Sequence, residues 1–293
     1  MSMNFKYRTM ALVGNVLFAL GLLIVPLPLF ADFVADATYV DQEKEAVPEV
    51  LNAWKASTKE WPATVAITRQ GGGSCTATFV AEQVLLTAAH CTDDGGKVRI
   101  KFRGGLGSTS ALCDHHPEYV KQSDNYKTAL DFALCKTKSP VKGVGFFEVI
   151  NTNAVLPARN TDVILLGYGC TDERAKDSYF YRQFGVLHEG RTKLTGKANS
   201  GLYFVTEGGA AVCFGDSGGA SYMYNSDVSK SQKYIVAVNS RGNIKDHSYL
   251  STTSSASFVN WALAWSAKQQ VENICGLHKN AENCRKNADQ KAP

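Results

Sequence analysis

The feature that most constrains this chain is a succession of short apolar runs, each closed by turn residues: VAITRQ (65–70), ATFVAEQVLLTAA (77–89), KVRIKF (97–102), DVILLGYG (162–169), LYFVTE (202–207) and KYIVAVNS (233–240). β-branched and aromatic residues fill the runs while Gly, Asn and Asp punctuate them, which is strand chemistry. No helical segments recur between them at βαβ spacing, and no self-similar period of roughly 20–50 residues is present. Helical periodicity enters only late. In SFVNWALAWSAKQQVENI, residues Phe258, Ala262, Trp265 and Gln269 fall on one i, i+4 row. Many short strands followed by one helix give an all-β fold of the barrel or sandwich type.

At 293 residues the chain has room for one large or two ordinary domains with a sizeable core. Apolar residues make up 44% and charged residues 20%, a globular balance that argues against wholesale disorder and against a polytopic membrane protein. The net charge is +4 with no block of Lys and Arg, too dispersed for a nucleic-acid footprint. The eight cysteines contain no CxxC pair, which favours disulfides and an oxidising compartment over a zinc site.

Both ends differ from this body. Lys6 and Arg8 precede an uncharged run from Thr9 to Ala31, with Ala35-Asp36-Ala37 spaced as a cleavage site, so residues 1–37 read as a signal peptide. A retained membrane anchor is the rival reading, opposed by Pro26 and Pro28 near the end of the run. Residues 38–49 are acidic and without apolar period, an expected propeptide or linker. Residues 50–272 form the expected main domain, and 273–293 a polar tail with Cys275 and Cys284.

Three strings carry chemistry. Thr87-Ala88-Ala89-His90-Cys91 puts a histidine at the end of an apolar strand, beside a cysteine. Cys213-Phe214-Gly215-Asp216-Ser217-Gly218-Gly219 puts a serine in a glycine-rich turn, where backbone N–H groups can converge on one point. Asp131-Phe132-Ala133-Leu134 puts one acid at the mouth of an apolar strand, where burial would let it hold an imidazole N–H free of competing water. A serine hydroxyl is a weak nucleophile at neutral pH; it needs a base, and the base needs an acceptor that fixes its tautomer.

With these boxes in the order His90, Asp131, Ser217, the chain resembles the chymotrypsin/trypsin-like serine peptidases from Trp61-Pro62 to Phe258-Val259-Asn260-Trp261. The resemblance implies two packed six-stranded antiparallel β-barrels with a C-terminal helix and a site in the cleft between the barrels. It makes His90 the general base, Asp131 its orienter and Ser217 the nucleophile, with the N–H groups of Gly215 and Ser217 as the oxyanion hole. No metal or organic cofactor is expected. His115 and His116, in a segment similar to the family's His-Pro-x-Tyr, are expected to be structural and not metal ligands.

The resemblance pairs Cys75 with Cys91. The family's partner for Cys213 lies downstream, yet this chain has no cysteine between 213 and 275, so Cys170 is the expected mate. Cys113 with Cys135 and Cys275 with Cys284 complete the expectation, with Cys275 reaching back to the body left open. The family also implies an activation ion pair between Asp216 and an N-terminal ammonium, whose equivalent here falls at Val50. Val50-Leu51-Asn52-Ala53 only loosely resembles Ile-Val-Gly-Gly, and the bond follows Glu49.

The primary pocket is expected to have Ala211 as its floor, which argues against cleavage after Lys or Arg, and Asn239, Ser240 and Arg241 as its wall, with Asn239 and Ser240 as backbone partners for substrate. A small or apolar side chain is the expected preference; Arg241, with His247, opens an acidic one as the alternative. The expected function is a secreted or periplasmic serine endopeptidase acting on protein or peptide substrates, with an activating protease and a protein inhibitor as further partners and the membrane as one only if the leader is retained. A catalytically silent binding protein on the same scaffold is the competing function.

Overall fold

A computed structural model describes residues 53–102, 107–121, 126–153, 157–171, 185–224, 233–280 and 284. The chain divides into two units, 1–35 and 36–293, and every described residue lies in the second. The leader, the acidic segment, Val50 and residues 285–293 lie outside the described residues.

Strands β1 (Trp54–Lys55), β2 (Thr64–Arg69), β3 (Ser74–Ala81), β4 (Val84–Thr87), β5 (Gly96–Lys101), β6 (Ser108–His115) and β7 (Ala133–Thr137) come first along the chain, followed by the short β8 (Val149–Ile150). Six of them close into an antiparallel barrel in the order β2-β3-β4-β7-β6-β5. The alternation in β5 shows why: Val98 and Ile100 point inward while Lys97, Arg99 and Lys101 face water. Burying a side chain such as Phe79, Leu85 or Ile100 contributes about 1.5–3 kcal/mol each, which is what holds such a ring closed.

The second half is built from β9 (Asp162–Gly167), β10 (His188–Ala198), β11 (Tyr203–Glu207), β12 (Ala220–Tyr224), β13 (Lys233–Gly242) and β14 (His247–Thr252). They run in the order β10-β11-β14-β13-β12-β9, and β9 pairs back onto β10 to close a second six-stranded barrel. β1 is added to β10, and β8 lies parallel to β13.

The single α-helix, α1 (Ala256–Lys268), starts where the Ser255 hydroxyl accepts the Phe258 N–H at 3.2 Å. It buries Phe258, Ala262 and Trp265, three of the four residues of the sequence row. Phe258 meets Phe132, the neighbour of Asp131, with ring centroids 4.6 Å apart, and Trp265 Nε1 donates to Asp114 Oδ2 at 2.7 Å. The helix thus backs the segment that carries the acid. Among the described residues no helix is long and apolar enough to cross a membrane.

Beyond the helix the chain stays packed. Ile274 and Cys275 are buried, the Cys275 N–H donates to Val80 O at 2.9 Å, and its carbonyl accepts from Ile150 N–H at 3.0 Å. This docked segment follows directly on the boundary expected at 272/273. The four disulfides are Cys75–Cys91, Cys113–Cys135, Cys170–Cys213 and Cys275–Cys284. Cys113 and Cys135 sit directly opposite each other on β6 and β7.

Candidate active site

β4 ends at Thr87, and the chain turns through a short 3-10 segment, Ala89–Cys91, which lifts His90 out of the barrel wall. The Cys75–Cys91 bridge ties this turn to β3. Asp131 lies just before β7, fully buried, and its carboxylate holds the histidine at two points. Oδ1 accepts the His90 backbone N–H at 2.9 Å, and Oδ2 lies 2.6 Å from His90 Nδ1. A carboxylate can only accept, so Nδ1 carries the proton in this contact and, in the neutral ring, Nε2 is the nitrogen left to accept one. The His90 side chain is 27% exposed against 1% for Asp131, so one face of the imidazole reaches solvent while its partner is dry.

A third donor reaches the same acid from the second barrel, where the Ser240 hydroxyl donates to Asp131 Oδ2 at 2.6 Å. Burial alone would raise the Asp131 carboxyl, but the neighbouring His90 and the hydrogen bonds from His90 and Ser240 outweigh it and hold the carboxyl below its usual range. Ser240 is expected from the sequence in the pocket wall and as a backbone partner for substrate. Its hydroxyl role has no local signal, because donor and acceptor are 109 positions apart and meet only when the barrels close.

The serine turn lies between β11 and β12, wedged where the two barrels meet. Gly218 has φ +81, and a Cβ there would come 2.1 Å from Thr87 Oγ1 and 2.4 Å from Thr76 O; on Gly219 it would come 2.1 Å from Leu166 O. Glycine is required at both positions because backbone from both barrels presses on them. Thr76 secures the turn from β3: its N–H donates to Ser217 O at 2.9 Å and its hydroxyl to Gly215 O at 2.8 Å. Cys91 Sγ lies 3.4 Å from Ser217 O, which brings the histidine turn against the serine turn.

Within the turn, Asp216 N–H donates to Cys213 O, Gly218 N–H to Asn239 O and Gly219 N–H to Asp216 O. Among the described residues the N–H groups of Gly215 and Ser217 find no acceptor. Nor does a hydrogen bond join Ser217 Oγ to His90 among the described residues. Such contacts commonly tighten only when substrate is bound.

The expected pocket residues divide. Ala211 is fully buried, with the next residue, Val212, donating its N–H to Ser248 Oγ at 2.9 Å. Asn239 requires a correction. Its N–H donates to Gly219 O and its carbonyl accepts from Gly218 N–H, both at 2.8 Å, while its side-chain amide donates to Leu166 O at 3.1 Å. It is a buried hub behind the serine turn, with its backbone N–H and carbonyl both engaged there. Arg241 is exposed and folds back, its guanidinium 5.6 Å from the Tyr203 ring centroid and Nη2 3.4 Å from Thr128 O. His247 is turned to Asp246 and Glu207, at 2.6 and 3.4 Å.

His115 Nε2 lies 2.7 Å from the Thr92 hydroxyl, and His116 Nε2 lies 3.0 Å from Ser257 Oγ with its ring against Trp261. Cys75, His90 and Cys91 cluster closely enough to hold an ion, but both sulfurs are already joined to each other.

A family model described as Trypsin matches residues 52–262. The chain is 28% identical over 172 residues to snake venom serine protease KN3 of Trimeresurus stejnegeri, a match covering 50% of this chain and 62% of that protein. It is also 28% identical over 194 residues to a trypsin of Saccharopolyspora erythraea, covering 60% of this chain and 82% of that one. The chain therefore spans less than two thirds of the length of the venom proteases it matches.

Proposed function

The chain belongs to the trypsin family, and from that premise we propose that it is a secreted or periplasmic serine endopeptidase in which Ser217 attacks the peptide carbonyl, His90 is the base and Asp131 orients it. The observation that carries this reading is the buried Asp131 carboxylate holding both the backbone N–H and Nδ1 of His90. That arrangement fixes one tautomer and leaves Nε2 to take the serine proton, then to return it to the leaving amine. The N–H groups of Gly215 and Ser217 receive the oxyanion, each donor contributing on the order of 3 kcal/mol to the transition state. Water then repeats the sequence on the acyl-enzyme.

The specificity proposed is non-tryptic. A buried Ala211 offers no charge to a Lys or Arg side chain, so a small or apolar residue before the scissile bond is preferred. Arg241 favours an acidic residue as the second choice, because its guanidinium rests on Tyr203 with donors to spare. Protein or peptide substrates follow from this chemistry, and four disulfides fit an oxidising, extracellular location.

Fluorophosphonate labelling of the purified chain beside Ser217→Ala, with mass mapping of the label, tests the assignment. Label confined to Ser217 supports a competent nucleophile and oxyanion hole. An unlabelled, folded chain would shift the reading to a silent binding protein on this scaffold.

A further inference from the structure

The family resemblance leads one to expect that an ammonium freed near Val50 holds Asp216 and thereby shapes the serine turn. The described residues supply a different set of restraints. Cys213, at the head of the turn, is bonded to Cys170, just beyond β9. Cys170 N–H donates to Phe214 O at 2.9 Å. Asp216 Oδ1 accepts the Gly169 N–H at 2.8 Å and Oδ2 accepts the Cys213 N–H at 2.9 Å. Tyr168 N–H donates at 3.0 Å to Thr76 Oγ1, the same hydroxyl that secures Gly215 O.

Residues 168–170 thus reach the turn at Cys213, Phe214 and Asp216 directly, and at Gly215 through Thr76. The approach is close because it is glycine-lined: a Cβ on Gly167 would come 2.1 Å from Asp216 Oδ1, and one on Gly169 would come 2.5 Å from it. Side-chain atoms on either residue would drive the carboxylate out. Each carboxyl oxygen of Asp216 accepts one backbone N–H, one from each side of the turn. Ile244 packs over the disulfide.

We propose that the Cys170–Cys213 disulfide and the two backbone N–H groups on Asp216 form a built-in positioning lock, which keeps the Gly215 and Ser217 N–H groups in their reacting arrangement without a freed N-terminal ammonium. The lock rests on the serine-peptidase reading above. Its consequence is a chain that reacts before, and independently of, any cut at 49/50.

The test uses the full-length chain made in an oxidising compartment, with the N-terminus of each sample mapped by mass. Four forms are compared: wild type, Val50→Pro to keep the 49/50 bond uncut, Cys170→Ala/Cys213→Ala, and Cys113→Ala/Cys135→Ala as a disulfide control in the first barrel. The Val50→Pro chain is expected to take fluorophosphonate on Ser217 at close to the wild-type rate. Cys170→Ala/Cys213→Ala is expected to lose on the order of 10²-fold in kcat on a peptide ester, the size of one lost oxyanion donor, with KM little changed. The control is expected to keep its kcat.

A wild-type measurement covers the case in which the double variant does not fold. An α-amino group has an ordinary pKa of about 8, so a turn held by ammonium loses acylation as pH is raised to 10.5, whereas the lock holds a plateau. Labelling that appears only after a new N-terminus at Val50, a double variant as fast as the control, or activity lost with the α-amino proton would each overturn the lock. Absence of label on every form, a trimmed wild type included, would overturn the serine-nucleophile reading itself, an outcome distinct from the other three.

Discussion

The two halves of the cleft are held by different physics. The histidine half is positioned by charge: one buried carboxylate gathers the His90 N–H, His90 Nδ1 and the Ser240 hydroxyl. The serine half is positioned by backbone: Thr76, Leu166, Asn239 and Gly169 press main-chain and amide groups against a turn that only glycine can complete. The first half should therefore fail when a charge is removed and its shape kept. The second should fail when one methyl group is added and every charge kept.

Asp131→Asn breaks the comparison most sharply on the charge side. The amide is the same size but has one acceptor oxygen where the carboxylate has two, so it cannot accept both the His90 backbone N–H on one side and the imidazole with the Ser240 hydroxyl on the other, and the tautomer is no longer fixed. kcat is expected to fall by on the order of 10⁴, with a cooperative melt retained. Steady-state kinetics on a peptide ester checks it, and near-native turnover would remove Asp131 from its role.

Gly218→Ala is the matching test of the backbone side. With φ +81 and a Cβ placed 2.1 Å from Thr87 Oγ1 and 2.4 Å from Thr76 O, the turn must move away from both barrels. The expected cost is about 3–4 kcal/mol of stability, at the upper end of single substitutions, with a parallel loss of fluorophosphonate labelling. Adding Thr87→Ala removes the side-chain clash but leaves Thr76 O, so only partial recovery is expected. Full recovery would mean that the turn is held by that one side chain and not by the backbone around it.

Ser240→Ala sharpens the comparison because it removes a donor that crosses from one barrel to the acid of the other. A hydrogen bond to a charged group is worth about 1.5–3 kcal/mol, so a decrease in kcat of roughly ten- to hundredfold is expected, with KM little changed. A change confined to KM would assign Ser240 to substrate binding and not to holding Asp131.

The same division explains what was legible in the sequence. The charge side rests on residue types, so His90 and Asp131 stood out as a base and a lone acid at strand ends, and the helix row was plain because Phe258, Ala262 and Trp265 face one core. The backbone side rests on distances between segments far apart in sequence. Nothing local distinguishes Asn239 as the hub behind the serine turn, or Thr76 as its clamp across 139 positions. Among the strands, β10 had no apolar run to announce it: His188, Gly190, Thr192 and Leu194 point inward and alternate with exposed or half-exposed Glu189, Arg191 and Lys193. The run 77–89 hid a turn at Glu82-Gln83, because β3 and β4 are buried on both faces and show no alternation.

The last expected effect lies at Asp216, where the two kinds of restraint meet. Burial pushes its carboxyl from 3.8 up to about 7, against the downward pull of the Cys213 and Gly169 N–H groups. A folded-state value above the unfolded one means that the folded chain holds the extra proton in this window. The stabilisation it brings is complete below about pH 4 and is lost as pH rises through 7. Asp216→Asn cannot titrate, so the melting temperature of the wild type relative to the variant should fall steadily between those limits. Asp131 does not confuse the reading, because its lowered value puts its own loss of stability at the acid end, as pH falls below the usual carboxylate range. A relative melting temperature that instead rises with pH would show an ionised Asp216 neutralised by a cation. The serine turn would then be held by charge as the histidine is, and the difference between the two halves would disappear.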